Sequence, residues 1–337
     1  MTTELDVAAA LGDEPGVLPA VAVDADGGAL APLAELAERA RSYARGSKAA
    51  NTLRAYESDL RHFGAWCDAR ALTAFPAEPE TVALYLVDHA ERLAVSTLRR
   101  RLAAISEAHQ AARFSNPTVD SAVRVTWAGI RRAHGTAPDA KEAAVTEVVA
   151  AMVAPLGERL IDVRDRAVLL VGFAGALRRS ELSGLDVGDV VETGEGLKIT
   201  VARSKTDQEA EGHTIGITYG SNPPTCPVRA WRAWLEAAEI EDGPAFRRLP
   251  HGRTTPDRIA GDGIARMVKR RAVAAGYAPE LFSGHSLRSG FATTAARAGV
   301  AEHRIMRQGR WTTSQAMRGY IHEGELFVDN PSAKLGL

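Results

Sequence analysis

The chain of 337 residues is longer than one typical domain and suits two, each with enough mass for a sizeable core. Its 45% hydrophobic and 25% charged residues are ordinary for a soluble globular protein, which argues against a disordered, fibrous or membrane-embedded chain. Two cysteines, Cys67 and Cys226, stand far apart without metal-ligand spacing, so a disulfide framework and a cysteine zinc site are not expected and a reducing cytoplasm is.

No basic residue precedes Arg39, so a signal peptide is not expected, and no apolar run reaches membrane-spanning length. The net charge of −1 conceals an asymmetry. Residues 1–38 carry eight acids and neither Lys nor Arg; taking that −8 from the total leaves +7 for residues 39–337. An acidic leader on a basic body suits a polyanion partner, the plainer alternative being a surface that is simply rich in arginine.

In chain order, residues 1–40 read as an acidic, largely disordered leader, with a short helix possible over 34–44. Residues 45–135 read as a compact helical unit. Over 47–70, Leu53, Tyr56, Leu60, Phe63 and Trp66 recur at three- and four-residue steps, the mark of an amphipathic helix. A turn over 76–80 leads to a helix over 81–93 with Val82, Leu84, Tyr85 and Leu86 as its apolar residues. Ser96 is the expected N-cap of a third helix, with Leu98, Leu102 and Ile105 inward and Arg99, Arg100 and Arg101 sweeping around its outside. A fourth helix over 121–132 ends in Arg131 and Arg132. Each basic cluster is either a solvated face or the lining of a groove.

Residues 136–145, small, polar and proline-bearing, read as a linker. The second unit, 146–325, opens with Thr146 as a helix cap. An apolar helix over 164–176 should be buried. Leu197, Ile199 and Val201 alternate with polar residues, and Ile215 and Ile217 repeat the pattern, so a small antiparallel sheet is expected. Pro227 opens a helix whose Val228, Trp231, Trp234 and Leu235 belong to a core. Helices over 262–275, 285–298, 301–308 and 312–322 complete a mainly α-helical unit.

The chemistry gathers at Gly284-His285-Ser286-Leu287-Arg288-Ser289-Gly290. His285 and Arg288, three apart at a helix start, project from one face beside backbone donors suited to a phosphate. Such a quartet also arises by chance. Arg178, behind a buried helix, is a costly place for a guanidinium unless an anion meets it, and Glu181 three residues on can fix its fork. A private Arg178–Glu181 ion pair is the competing account. No carboxylate cluster suits two metals and no glycine-rich phosphate loop with its lysine is present. Phosphate chemistry would therefore run on cations and a protein nucleophile.

Four further boxes accompany this one in order: Ala174-Gly175-Ala176-Leu177-Arg178-Arg179-Ser180-Glu181-Leu182, Arg203-Ser204-Lys205-Thr206, Gly309-Arg310-Trp311, and Tyr320. Together they resemble the active-site boxes of the tyrosine recombinases, the phage-integrase family. The opening of the helical unit, with Thr52, Arg54 and Tyr56, resembles that family's core-binding domain, and the resemblance spans about residues 47–325.

The resemblance implies a two-domain, C-shaped DNA clamp, a helical SAM-like core-binding domain plus a tyrosine-recombinase catalytic domain. It implies Tyr320 as the nucleophile, leaving a 3′-phosphotyrosyl link and a free 5′-hydroxyl. Arg178 and Arg288 would clamp the non-bridging oxygens, with His285 managing proton and charge. Lys205 would protonate the leaving oxygen, Trp311 would donate its indole N–H, and Glu181 would hold Arg178. Clustered cations would favour the phenolate of Tyr320. Arg99, Arg100, Arg101, Arg131, Arg132 and Arg203 would meet DNA along with Thr52, Arg54 and Tyr56. Arg179 and Arg310 stand where relatives more usually carry small or aliphatic residues; phosphate contact or exposed charge is expected of both. No metal and no ATP are needed, because the phosphotyrosyl link stores the phosphodiester energy.

The implied partners are double-stranded DNA with inverted-repeat sites and, in synapsis, three further copies in a homotetramer, with a monomer or dimer off DNA. A tail over 326–337 would dock on a neighbouring subunit. The protein would be cytoplasmic, in a bacterium or encoded by a phage or plasmid. A type IB topoisomerase and a catalytically silent DNA-binding protein on the same fold are the alternatives.

Overall fold

The computed structural model describes residues 50–135, 141–201, 212–326 and 330–335, together with Leu36 and Arg39. The rest of the acidic leader, residues 136–140, and the segment holding Arg203 and Lys205 lie outside the described residues, as do Phe327 and Val328 of the tail. The chain divides into two compact units between Asp139 and Ala140.

The first unit is four helices: α1 (Ala50–Asp68), α2 (Pro79–Ala90), α3 (Val95–Ala111) and α4 (Ser121–His134). Helix α1 packs against α3 and α2 against α4. Their apolar stripes close on Leu60, Phe63, Tyr85, Leu86, Leu98, Ile105 and Val123. Edge-to-face rings at the centre, Phe63 on Tyr85 at 4.9 Å, give the core its aromatic character. Two expectations fail locally. Helix α3 starts two residues early, on an Ala94 N-cap that makes no side-chain bond, so Ser96 lies inside its first turn. Leu84 stays 57% exposed, because α2 turns Val82, Tyr85 and Leu86 inward and no helical face can include 84 as well.

In the second unit α5 (Thr146–Val153) is capped at Val145, with Thr146 already helical. Helix α6 (Leu160–Ala174) runs through the core, and α7 (Arg179–Gly184) follows after a sharp turn. Strands β1 (Val190–Thr193), β2 (Gly196–Val201) and β3 (His213–Thr218) form one antiparallel sheet in the order β1-β2-β3, with Leu197 opposite Ile217 and Ile199 opposite Ile215. The β2 and β3 side chains alternate buried and exposed, as half-covered strands must. Helices α8 (Pro227–Ala237), α9 (Gly261–Ala274), α10 (Ser286–Arg297), α11 (Glu302–Gly309) and α12 (Arg318–Glu325) complete the unit. Trp231 and Trp234 are core residues. Among the described residues no helix is long and apolar enough to cross a membrane.

Helix α6 carries an ion network the apolar reading does not foresee. Asp165, fully buried, accepts from Arg164 at 2.7 Å, from Arg270 at 2.8 Å and from Arg271 Nε at 2.8 Å; Asp162 accepts from Arg159 and from Arg271, each at 2.8 Å. It bolts the first half of α6 to α9. Removing one partner from such a group leaves buried charge uncompensated, so Asp165→Ala is expected to cost about 3–5 kcal/mol. Urea unfolding followed through the tryptophans of the second unit checks this.

Candidate active site

Helix α6 ends in a left-handed residue. Ala176, at φ 46°, turns the chain so that the Leu177 N–H returns to the Gly172 carbonyl at 3.0 Å, and Arg178 becomes the N-cap of α7. Three arginines converge on this turn. Arg178 Nη1 donates to Glu181 Oε1 at 2.6 Å, and its backbone N–H donates to Oε2 at 2.8 Å. Arg288, on the first turn of α10 and 1% exposed, donates through Nη1 to the Ala176 carbonyl at 2.6 Å. Arg310 donates to Glu181 Oε2 at 2.6 Å and to the same Ala176 carbonyl at 3.1 Å.

The electrostatics follow from burial. The Glu181 carboxyl is pushed up by burial, but Arg310 and then Arg178 outweigh this and hold it below its ordinary value. Burial pushes the Arg288 guanidinium down to about 9, with Arg178 adding to the fall and Glu181 opposing it. Its Nη2 is buried without a hydrogen-bond partner among the described residues. Its face lies 3.9 Å from the centroid of the Trp311 ring, a close cation–π contact.

Tyr320, half-buried on α12, completes the group. Its ring centroid is 6.4 Å from that of His285, the exposed N-cap residue of α10, and 6.4 Å from that of Trp311. Two glycines allow this. A Cβ on Gly309 would sit 1.7 Å from the Trp311 ring, and one on Gly324 would sit 2.6 Å from the Thr293 carbonyl, where α12 lies against α10. Tyr320, Trp311 and Ile321 pack on a small separate cluster of Ala292, Ala296, Ile305 and Met317. The helix that bears Tyr320 begins at Arg318, after a short 3-10 turn at Ser314–Ala316, and not at residue 312. In this state burial raises the Tyr320 phenol above its ordinary value. Arg288 opposes that without reversing it, so the expected bias toward phenolate is not realised.

The structure thus brings together Arg178, Glu181, Arg288, His285, Trp311 and Tyr320, and Lys205 lies outside the described residues. Arg310 overturns the expectation of exposed charge: its side chain is 1% exposed and bound to Glu181. No sequence pattern distinguishes it, since only its position beside Trp311 ties it to the site. Arg179 is half-exposed as expected and pairs with Asp262 at 3.0 Å.

In the first unit the basic residues part company. Arg99, Arg131 and Arg132 are exposed, and Arg131 lies over Trp127 at 5.8 Å. Arg100 is half-exposed and grips Asp59 with two bonds, at 2.7 and 3.0 Å. Arg101 is a correction: it turns into the core and donates to the Tyr85 hydroxyl at 2.6 Å, so it does not line a groove. Arg54 is exposed, whereas Thr52 and Tyr56 are half-buried, with Tyr56 packed on the core. Arg203 lies outside the described residues.

Arginines aimed at one small volume beside a histidine and a tyrosine, on a mainly helical unit with a small sheet, suit phosphoryl transfer through a protein nucleophile. Comparison with known proteins makes the class specific. The phage integrase family matches residues 144–325, and its N-terminal SAM-like domain matches residues 43–114. The chain is 40% identical over 290 residues to an integrase/recombinase XerD homolog of Selenomonas ruminantium, covering 84% of this chain and 85% of that protein. It is 28% identical over 285 residues to recombinase Cre of Escherichia phage P1, covering 78% and 81%. In fold it resembles XerH site-specific recombinase bound to palindromic difH, with a TM-score of 0.63 at 12% identity, covering 84% and 79%. The chain belongs to the phage integrase family and is a site-specific tyrosine recombinase.

Proposed function

We propose that this recombinase cuts and rejoins duplex DNA through Tyr320, forming a 3′-phosphotyrosyl intermediate without metal or ATP. The Tyr320 oxygen attacks the scissile phosphorus and the bond to the 5′-oxygen breaks. The phenolic proton leaves with help from His285, and the departing oxygen takes a proton from Lys205. A 5′-hydroxyl from the partner strand then reverses the step. Arg178 and Arg288 hold the phosphate oxygens, Trp311 adds its indole N–H, and Glu181 orients Arg178. The observation that carries this reading is the Tyr320 ring standing beside His285 and Trp311, with Trp311 stacked on the buried Arg288, whose Nη2 has no hydrogen-bond partner among the described residues.

Exchanging both strands of two duplexes breaks four phosphodiesters, and each chain offers one such tyrosine. The working form is therefore a homotetramer on paired inverted-repeat sites, its tail over 326–337 docked on a neighbour, in the cytoplasm of a bacterium. The exposed arginines of the first unit neutralise phosphates. Removing one such charge should reduce the slope of log K against log salt by about 0.9, so Arg131→Ala with Arg132→Ala should flatten it by about 1.8. Arg101→Ala, which opens the core, is expected to lower stability and leave that slope alone. Filter binding across a salt series checks both.

The reaction itself is tested by incubating the protein with a library of bacterial and phage DNA in excess EDTA without nucleotide, quenching in SDS, and sequencing the covalently held fragments. Adducts at one short inverted repeat, with 5′ ends open to polynucleotide kinase and 3′ ends blocked, support the reading. Adducts scattered over supercoiled DNA would assign a topoisomerase-like activity instead. No adduct at all, or a blocked 5′ end, overturns it.

A further inference from the structure

Arg310 is the one arginine at this turn that the proposed reaction leaves without a role. Its backbone sits at φ 56° and ψ 46°, a left-handed conformation that suits glycine and strains an arginine. Its guanidinium is buried, and its Nε has no hydrogen-bond partner among the described residues. Strain, a desolvated cation and an orphan N–H are three separate costs.

What Arg310 touches is the anchorage of the other two arginines. Glu181 has two oxygens: Oε1 takes Arg178 Nη1, while Oε2 takes the Arg178 backbone N–H and Arg310 Nη2. The Ala176 carbonyl takes Arg288 Nη1 and the same Arg310 Nη2. Arg310 Nη1 closes the fork on the Gln308 carbonyl at 2.8 Å and the Gly175 carbonyl at 3.3 Å. One planar group thus ties the carboxylate that holds Arg178 to the carbonyl that holds Arg288. Its backbone turn also sets how the next residue, Trp311, folds over the Arg288 guanidinium.

We propose that Arg310 is a positioning residue: it locks Glu181 and the Ala176 carbonyl in one fork and so fixes the aim of Arg178 and Arg288 at the phosphate, without touching DNA. This rests on the assignment of Arg178 and Arg288 to the scissile phosphate. A lysine in its place keeps the charge but cannot present the same planar fork. The glycine variant removes the fork while suiting the left-handed backbone, so the chemistry can be separated from the fold.

The test uses the duplex that wild-type protein captures covalently, measuring apparent Kd and the single-turnover rate of adduct formation at saturating protein. For Arg310→Gly the Kd should stay within about threefold while the rate falls by about tenfold to a hundredfold, as for a misplaced catalytic group. Arg310→Lys should recover part of that rate. Glu181→Gln combined with Arg310→Gly should be no slower than the slower single variant, because the two act as one unit. A wild-type rate in folded Arg310→Gly overturns the inference, as does a loss confined to Kd. Should thermal melting show the glycine variant unfolded, Arg310→Lys decides, and a wild-type rate there overturns it equally. Failure of wild-type protein to form an adduct with any DNA removes the reaction itself, and this assignment with it.

Discussion

Tyr320→Phe is expected to bind duplex DNA as the wild type does and to form no SDS-stable adduct. The substitution removes one oxygen and keeps the ring, and the ring is what packs on Ala292, Ile305 and Met317. Helix α12 should therefore stay docked on α10. The atom proposed to attack phosphorus is gone. Burial holds that phenol above its ordinary pKa in the free protein, with Arg288 pulling the other way, so at neutral pH it enters the reaction protonated and must shed its proton as the new bond forms. His285 faces the Tyr320 ring, and Trp311 is engaged with Arg288. The fall in covalent capture should exceed about 10³-fold, the upper range for losing a single oxyanion donor. A gel of radiolabelled DNA after SDS quenching reads it directly, and an undiminished adduct would place the nucleophile elsewhere.

Local order made much of this architecture legible in sequence. Leu60, Phe63 and Trp66 recur at helical spacing and all end in one core, and Leu197, Ile199 and Val201 alternate as half-buried strands do. The Gly284-His285 start of α10 lies where the motif puts it, with Arg288 one turn in. The largest failures share a cause, a partner distant in sequence. Strand β1 shows no alternation because only Val190 is partly covered, so its pairing with β2 is what makes it a strand. Three consecutive arginines on a helix cannot share a face, but their sequence does not say that Arg101 is the one that meets Tyr85. Asp165 reads as a stray acid in an apolar helix until Arg270 and Arg271 arrive from a hundred residues away. The same holds for Arg310, whose meaning depends on Glu181.

Arg288→Met should separate catalysis from stability more sharply than any other change. The methionine fills much of the arginine's volume in a site that is 1% exposed and cannot bind a phosphate oxygen. Preorganised donors aimed at developing charge contribute most when they are buried, so cleavage should fall by about 10²–10³-fold. Stability should move the other way. Among the described residues this cation has one hydrogen bond, one aromatic face and an unpaired Nη2, and burial depresses its affinity for the proton. Such a group is held at a cost that only an arriving anion offsets, and replacing an under-paired buried charge with an apolar side chain is often neutral or favourable. The thermal midpoint of Arg288→Met is therefore expected to equal or exceed that of the wild type. Arg288→Lys should not restore cleavage, since an ammonium cannot lie flat on Trp311 while reaching the Ala176 carbonyl and a phosphate together. A lowered midpoint with cleavage intact would show that Arg288 serves the fold. A raised midpoint with cleavage abolished would show that its cost in stability is spent on the phosphate.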